Sequence, residues 1–296
     1  MTERKNYKDL LVSTSSGQFA VRDFGVNGSD LVLIHGTGHN LEVWGPAAAL
    51  LQEWFHVVAF DMRGHGQTPV DSTDPEEYWK DIGGIIKALN LQSPILVGHS
   101  TGGYAVTAYA AFGGDCSAVV IADGFVLDDR KVPEGSHNWD IPEQQLWDMF
   151  RYGWMADQDA MEQYITEVCA HAATDWLNEG IAAELIEAFT RRSFFRRGNQ
   201  WQRRPTMEEL KIVGKPDPAR PIYPSVDVYD RIHVPIAFIF AENGLYKERG
   251  QEVQAVAALS KNRIFSQVNC GHNLHMLYPG KIKEIIESLS LLFKPF

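Results

Sequence analysis

Four continuous apolar runs stand out in the first half of the chain: DLVLIHG (30–36), FHVVAFD (55–61), PILVGHS (94–100) and SAVVIAD (117–123). Each is too short to span a helix and too uniformly apolar for a strand with one wet face, so each predicts a strand covered on both sides. Between them lie EVWGPAAALLQEW, DPEEYWKDIGGIIKALN and STGGYAVTAYAAFG, which read as helices. The second follows Ser72 and Thr73 and places Asp74, Glu76 and Glu77 in its first turn, where negative charge meets the positive end of the helix dipole. Strand and helix in alternation predict a mostly parallel sheet with crossover helices.

The alternation returns in PIAFIFAE (235–242), QEVQAVAALS, RIFSQVN (263–269) and KIKEIIESLSLLF. Between 129 and 228 the strand signal disappears and helical periods take over. Met161, Tyr164, Ile165, Val168, Cys169 and Ala172 form one apolar stripe, and Trp147, Phe150 and Trp154 another. The expected organisation is an α/β core from 1–128 and 229–296, with an inserted helical cap over 129–228. KVPEG leads into that cap, and the proline-bearing KPDPARPIYP leads out of it.

Composition narrows the class. With 296 residues, 45% hydrophobic and 22% charged, the chain can bury a large core and has a soluble, globular balance. A formal charge of −11 speaks against nucleic acid and anionic membrane as partners, since both require Lys and Arg where they are touched. The N-terminal MTERKNYKDLL lacks the apolar run of a signal peptide, and no segment approaches the roughly 20 apolar residues of a membrane helix, so a cytoplasmic location is expected. Cys116, Cys169 and Cys270 are odd in number and widely spaced, which supports neither a disulfide framework nor a zinc site. They are expected to be ordinary thiols. Oligomeric state is not legible.

The chemistry centres on Gly98-His99-Ser100-Thr101-Gly102, which fits G-x-S-x-G. The pattern is short, and context gives it meaning: PILV reads as a strand ending at the serine, and GGYAVTAYAA as a helix starting there. That is the turn that pushes a nucleophilic serine outward while flanking glycines prevent collisions. With this elbow in place, HGTGH (35–39), DMRGHGQT (61–68) and CGHNLHMLYP (270–279) fall in the order found in the α/β-hydrolase superfamily, which the chain resembles over nearly all of its length outside the expected cap. The resemblance implies an α/β-hydrolase fold, helices on both faces of the sheet, and a small-molecule substrate.

It also implies roles. The backbone N–H groups of Thr37 and Thr101 would form the oxyanion hole, and His272 would be the base, with His275 a neighbour in the same loop. His35, His65 and His99 are expected to be hydrogen-bonded structural residues, whereas His39 lies in the oxyanion loop and can touch substrate. The acid departs from the common pattern. Most relatives carry an Asp three residues beyond a small residue after the strand PIAFIFA, and here that position is Gly244. Asp123, at the end of SAVVIAD, is the preferred acid, with Glu242 as the alternative, because a rigid strand end best holds a residue that must fix a histidine tautomer.

Five of the eight tryptophans (Trp139, Trp147, Trp154, Trp176 and Trp201) fall in the middle segment. Aromatics at helical spacing are commonly core, but Trp147 and Trp154 are candidates to line a pocket for an apolar or aromatic group. RRSFFRRGNQWQRR (191–204) holds six arginines in an acidic chain. It is expected to be a solvated helix end, from which one or two arginines could meet a substrate carboxylate. The leading expectation is a serine hydrolase of carboxylic esters or lactones that needs no metal or organic cofactor. A cofactor-independent dioxygenase or lyase on the same scaffold, for which His39, His99-Ser100 and Asp123 also stand in matching positions, and a non-catalytic binding or receptor protein are the alternatives.

Overall fold

The four apolar runs are strands buried along most of their length on both faces, in the computed structural model that describes residues 7–25, 28–131 and 142–292. In chain order the strands are β1 (Lys8–Thr14), β2 (Gly17–Asp23), β3 (Ser29–Ile34), β4 (Phe55–Phe60), β5 (Ile95–His99), β6 (Ala118–Ala122), β7 (Met155–Ala156), β8 (Phe194–Arg197), β9 (Gln200–Arg203), β10 (Ile236–Asn243) and β11 (Arg263–Gly271). Eight of them form one sheet in the order β1-β2-β4-β3-β5-β6-β10-β11. All its pairings are parallel except β1 with β2 and β2 with β4.

Alternation along each strand divides the core in two. On β3, Val32 and Ile34 point into one apolar cluster, together with Ile82 and Ile85 of helix Glu77–Ala88 and Val106 of helix Thr101–Ala111. Leu31 and Leu33 point the other way, against Ala47, Ala48 and Leu51 of helix Gly45–Leu51 and Ile282 and Ile286 of helix Pro279–Leu292. Each such side chain contributes roughly 1.5–3 kcal/mol by leaving water, which is why the strand runs carry almost no polar residues. The expected fold class is the one observed.

The N-terminal hairpin β1–β2 is not foreshadowed by a continuous apolar run, because β1 is an exposed edge strand. The middle segment also differs from a purely helical expectation. Helices Glu143–Phe150, Gln158–His171, Ala183–Arg192 and Met207–Val213 are present, but β7, β9 and β8 form a small antiparallel sheet among them. Only the first two residues of the arginine-rich run, Arg191 and Arg192, end a helix. It leaves the helix at Arg192 and turns back on itself through Gly198 and Asn199, with Gly198 at φ +61°. A two-residue Gly-Asn connection between short segments is a hairpin signal, and here it overrides the helical reading.

This segment rests on the loops that follow β3 and β4. Buried Asn40 donates from Nδ2 to the carbonyl of Phe189 at 2.7 Å and to Ser193 Oγ at 2.9 Å. Asp61, fully buried, accepts from the backbone N–H groups of Leu41 and Gln67 at 2.8 Å each and from Arg192 Nε at 2.9 Å. Glu209 closes a capping box with Thr206 and also accepts from the backbone N–H of Ser72 at 3.3 Å. The HGTGH and DMRGHGQT turns thus dock the middle segment as well as shape the site. Among the described residues no helix is long and apolar enough to cross a membrane.

Candidate active site

Ser100 caps the N-terminus of helix Thr101–Ala111 with φ 53° and ψ −122°, a region that a residue with a Cβ enters only under strain. Such a conformation costs on the order of 1–3 kcal/mol and persists only where its surroundings enforce it. The turn can close because of Gly98 and Gly102. A Cβ on Gly98 would fall on the backbone of Gly102, and one on Gly102 would fall on the carbonyl of Ile34. Backbone bonds from Ser100 N to Ala122 O at 3.0 Å and from Gly103 N to Ser100 O at 2.8 Å hold the serine in place.

Asp123 follows β6 directly, at φ 44°, and is fully buried. Its Oδ2 accepts from His272 Nδ1 at 2.7 Å and from the N–H of Leu245 at 3.2 Å, while Oδ1 accepts from the N–H of Ala241 at 3.3 Å. Of the two carboxylates weighed from sequence, Asp123 is the one on His272; Glu242 lies at the end of β10 and makes no hydrogen bond to His272. The glycine at 244 has a spatial explanation. A Cβ there would land on Asp123 Oδ2, so the carboxylate reaching over from β6 occupies the volume that a side chain at 244 would fill. One point beside the histidine can be served from either strand, but only from one at a time.

His272 follows β11, and its backbone carbonyl accepts from His99 Nε2 at 3.0 Å. Ser100, His272, Thr37 and His39 line one cavity of about 380 Å³. Ser100, Thr37, Leu210 and Leu245 also border a second chamber of about 550 Å³, which runs toward Thr101, Tyr104 and Tyr246. The serine therefore stands between two compartments. Thr101 is the first residue of its helix, so its N–H has no intrahelical acceptor and is available to a ligand. The hydroxyls of Thr37 and Thr101 are 2.7 Å apart and bonded to each other, which ties together the two loops expected to supply oxyanion donors.

Behind the serine lies a set of neutral imidazoles. His35 donates from Nδ1 to Gly36 O at 2.8 Å and accepts the N–H of Met62 on Nε2 at 3.0 Å, which fixes its tautomer. Burial pushes His35, His99 and His275 well below the ordinary imidazole range, and His65 and His39 to about 4 and about 3. His99 packs on His275 with ring centroids 4.0 Å apart and on His272 at 4.5 Å. Among the described residues, His39, His99 and His275 are the one group whose donor atoms cluster as a metal would require, all within 4.8 Å. The rings of His99 and His275 are only 31° from parallel, so their in-plane lone pairs run alongside each other rather than toward a shared centre. The three thiols are unpaired, and burial raises Cys116 and Cys270 to about 11, which keeps them inert.

The expected aromatic lining is only partly found. Trp147 is exposed and Trp154 packs against Tyr164 and Phe194 in a satellite core, and neither faces the cavity. Trp154 sits there because helix Gln158–His171 and β8 need an aromatic to close the small cluster around Met161 and Ile165. Trp201 donates to Gln158 Oε1 at 2.9 Å, Trp139 lies outside the described residues, and Trp176 does line the cavity. Residues that sequence reasoning did not single out also face it, among them Tyr152, Thr190, Arg203 and Asn273. Two of these had a signal, Arg203 as one of six arginines in a single run and Asn273 as the residue after His272 in CGHNLHMLYP.

Residues 31–284 match the alpha/beta hydrolase family. Over 109 residues, a third of this chain, it is 36% identical to the protein phosphatase methylesterase 1 of Bos taurus, and over 105 residues, 34% of the chain, it is 33% identical to the bifunctional esterase/perhydrolase DCH of Acinetobacter calcoaceticus. These matched stretches span 29% and 38% of those two relatives. The crystal structure of E-2-(acetamidomethylene)succinate hydrolase superimposes with a TM-score of 0.70 at 19% identity, covering 96% of this chain and 98% of that one, which shows a shared fold. With its sheet order, serine elbow and family match in agreement, the chain belongs to the alpha/beta hydrolase family.

Proposed function

We propose that the protein is a serine hydrolase that cleaves a carboxylic ester or lactone through an acyl-enzyme. The observation that supports this best is the fully buried Asp123 carboxylate 2.7 Å from His272 Nδ1, with His272 and a strained Ser100 bordering the same cavity. Asp123 holds the N–H of His272 on Nδ1, which leaves Nε2 unprotonated and able to take the proton of Ser100 Oγ. The oxygen attacks the carbonyl, and the N–H groups of Thr37 and Thr101 receive the developing negative charge, each such donor being worth roughly 2.7–4 kcal/mol of barrier. His272 then protonates the leaving alcohol, and water repeats the sequence to release the acid. No step calls for a metal or organic cofactor.

The names of the relatives, a methylesterase and an esterase/perhydrolase, agree with hydrolysis as the reaction class. The middle segment, 129–228, acts in this reading as a cap: it supplies the upper walls of the cavity through Tyr152, Phe189 and Arg203. The test is turnover of p-nitrophenyl esters by Ser100→Ala, with the fold monitored by circular dichroism. Loss of turnover with retained fold is expected. Unchanged turnover would remove Ser100 from the mechanism, and oxygen consumption with an N-heteroaromatic substrate that survives Ser100→Ala would replace hydrolysis with a cofactor-independent dioxygenase reaction.

A further inference from the structure

We propose that the substrate carries a carboxylate and that Arg203 holds it in the cavity beside Ser100; the substrate class rests on the hydrolase reading, the anion site does not. Five of the six arginines in the run 191–204 are accounted for. Arg191 pairs with Glu162 and Glu187, Arg192 with Asp61, and Arg197 and Arg204 with Asp71. Arg196 is exposed and donates to the carbonyl of Gly198. Arg204 is buried too, but Arg203, at 5% exposure, is the one that is both buried and without a carboxylate partner among the described residues. Its one hydrogen bond there is from Nη1 to the carbonyl of Arg204 at 3.2 Å, and its Nε is buried without an acceptor.

A guanidinium cannot discharge itself by losing a proton, so this charge stays in the cavity wall. It is surrounded by the rings of Tyr152, Tyr164 and Phe194, with centroids 5.9, 6.0 and 5.8 Å away. Ring faces attract a cation, but at these distances far less than the water it has lost. The missing partner has room in the 380 Å³ cavity that Arg203 lines together with Ser100 and His272. Two further groups there wait for a hydrogen bond: Thr190 Oγ1 and His39 Nδ1 are buried and unpartnered among the described residues.

The location favours a substrate over an adventitious anion. The Tyr152 hydroxyl lies where a Cβ on Gly38 would be, so the ring packed against Arg203 also touches the oxyanion loop. The same cavity has an apolar part to its lining, with Leu146, Met149, Phe150 and Val168. Arg203 is the one Lys or Arg among the lining residues, and the one carboxylate there, Asp175, already accepts from Leu177 N–H and Asn178 Nδ2. A single guanidinium matches one carboxylate on a carbon framework, because a phosphate dianion would need a second positive group, and the planar fork of arginine suits the two carboxylate oxygens. The half of the substrate bearing the carboxylate then lies on the Arg203 side of Ser100, and the other half in the chamber toward Tyr104 and Tyr246.

The experiment compares monomethyl esters of dicarboxylic acids, succinate to adipate, with the matched dimethyl esters, following acid release in a pH-stat. In the unaltered protein at least one monoanion should exceed its diester in kcat/KM by tenfold or more, the range expected of a buried charge-assisted pair. Arg203→Met should reduce that preference at least tenfold, mainly through KM, Arg203→Lys should retain part of it, and Arg196→Met should leave it unchanged. Should Arg203→Met fail to fold, the preference of the unaltered protein and the Arg203→Lys variant still decide. A second arm is independent of turnover: calorimetric titration of Ser100→Ala protein with the same monoesters should show saturable binding, weakened at least tenfold when Arg203→Met is added. No monoester preferred over its diester and no monoester bound would overturn the proposal, as would a preference that survives Arg203→Met. Binding lost with Arg203→Met but no ester turned over by the unaltered protein would support the anion site and refute the hydrolase reading alone.

Discussion

Exchanging the two residues that compete for the place beside His272, Asp123→Gly with Gly244→Asp, probes how the acid is supplied. Alone, Asp123→Gly removes the acceptor of His272 Nδ1 and of the N–H groups of Ala241 and Leu245. Three buried donors left without acceptors cost about 1 kcal/mol or more each, and relief of the left-handed φ of 44° at position 123 returns about 1–2 kcal/mol, so a net loss of at least about 1–2 kcal/mol is expected. The effect on kcat should be far larger, roughly 10⁴-fold, because the imidazole loses its tautomer and orientation. Gly244→Asp alone should destabilise, since its Cβ meets Asp123 Oδ2 and lies 2.8 Å from the Cβ of Ala241, and it places a second carboxylate against the first. In the exchange variant the collision with Asp123 is gone and a carboxylate approaches from the β10 side, so at least tenfold of the lost kcat should return. The assay is kcat on p-nitrophenyl butyrate, with thermal melts to separate activity from folding. An Asp123→Gly enzyme that keeps more than a tenth of its kcat, or an exchange variant no better than Asp123→Gly, would refute the reasoning.

Acid should destabilise the fold steeply. His35, His65, His99 and His275 are buried neutral, with folded values below the ordinary 6.5, so below pH 6.5 the unfolded chain binds protons that the folded chain refuses. Stability is therefore full above pH 6.5 and falls as pH drops through the window below it, which for His65 extends to about 4. At pH 5.5 His65 alone accounts for a loss on the order of 1 kcal/mol, His35, His99 and His275 act in the same direction, and a Tm unchanged between pH 7.5 and 5.5 would contradict this. Asn40→Ala should cost about 2–4 kcal/mol in urea unfolding, because it deprives the buried Phe189 carbonyl and Ser193 hydroxyl of their donor and opens the joint between core and middle segment. A loss under 0.5 kcal/mol would mean that the joint is held elsewhere. Gly102→Ala should destabilise by at least about 1–3 kcal/mol, since its Cβ falls on the carbonyl of Ile34; a neutral result in the same unfolding assay would show that the elbow can relax.

The core strands were legible because burial on both faces writes a continuous apolar run, and parallel neighbours leave no wet side to break it. β1 was not, since an exposed edge strand carries no such run, and in β2, buried between β1 and β4, the run is only Phe19-Ala20-Val21. The hairpin β8–β9 was masked by its arginines, whose charges read as solvent exposure. In fact most of them are neutralised by Asp61, Asp71 and Glu162 from distant parts of the chain. Motif order singled out Ser100, His272 and Thr37, which line one cavity, and the blank at Gly244 pointed to Asp123, which lies on His272. Helical spacing could not say which side chains of the middle segment meet the cavity, so Trp147 and Trp154 were misplaced, Tyr152 went unread and Arg203 was read only as one of six arginines in a run. Which side chain faces a cavity depends on how that segment docks, and docking depends on single contacts such as those of Asn40 and Asp61.

The most direct test of the central claim is the intact mass of the protein after treatment with a fluorophosphonate, followed by peptide mapping. One adduct on Ser100, absent in Ser100→Ala and formed far more slowly in His272→Ala, is expected of a serine activated by that histidine. No adduct on a folded protein, or an adduct on another residue, would contradict it.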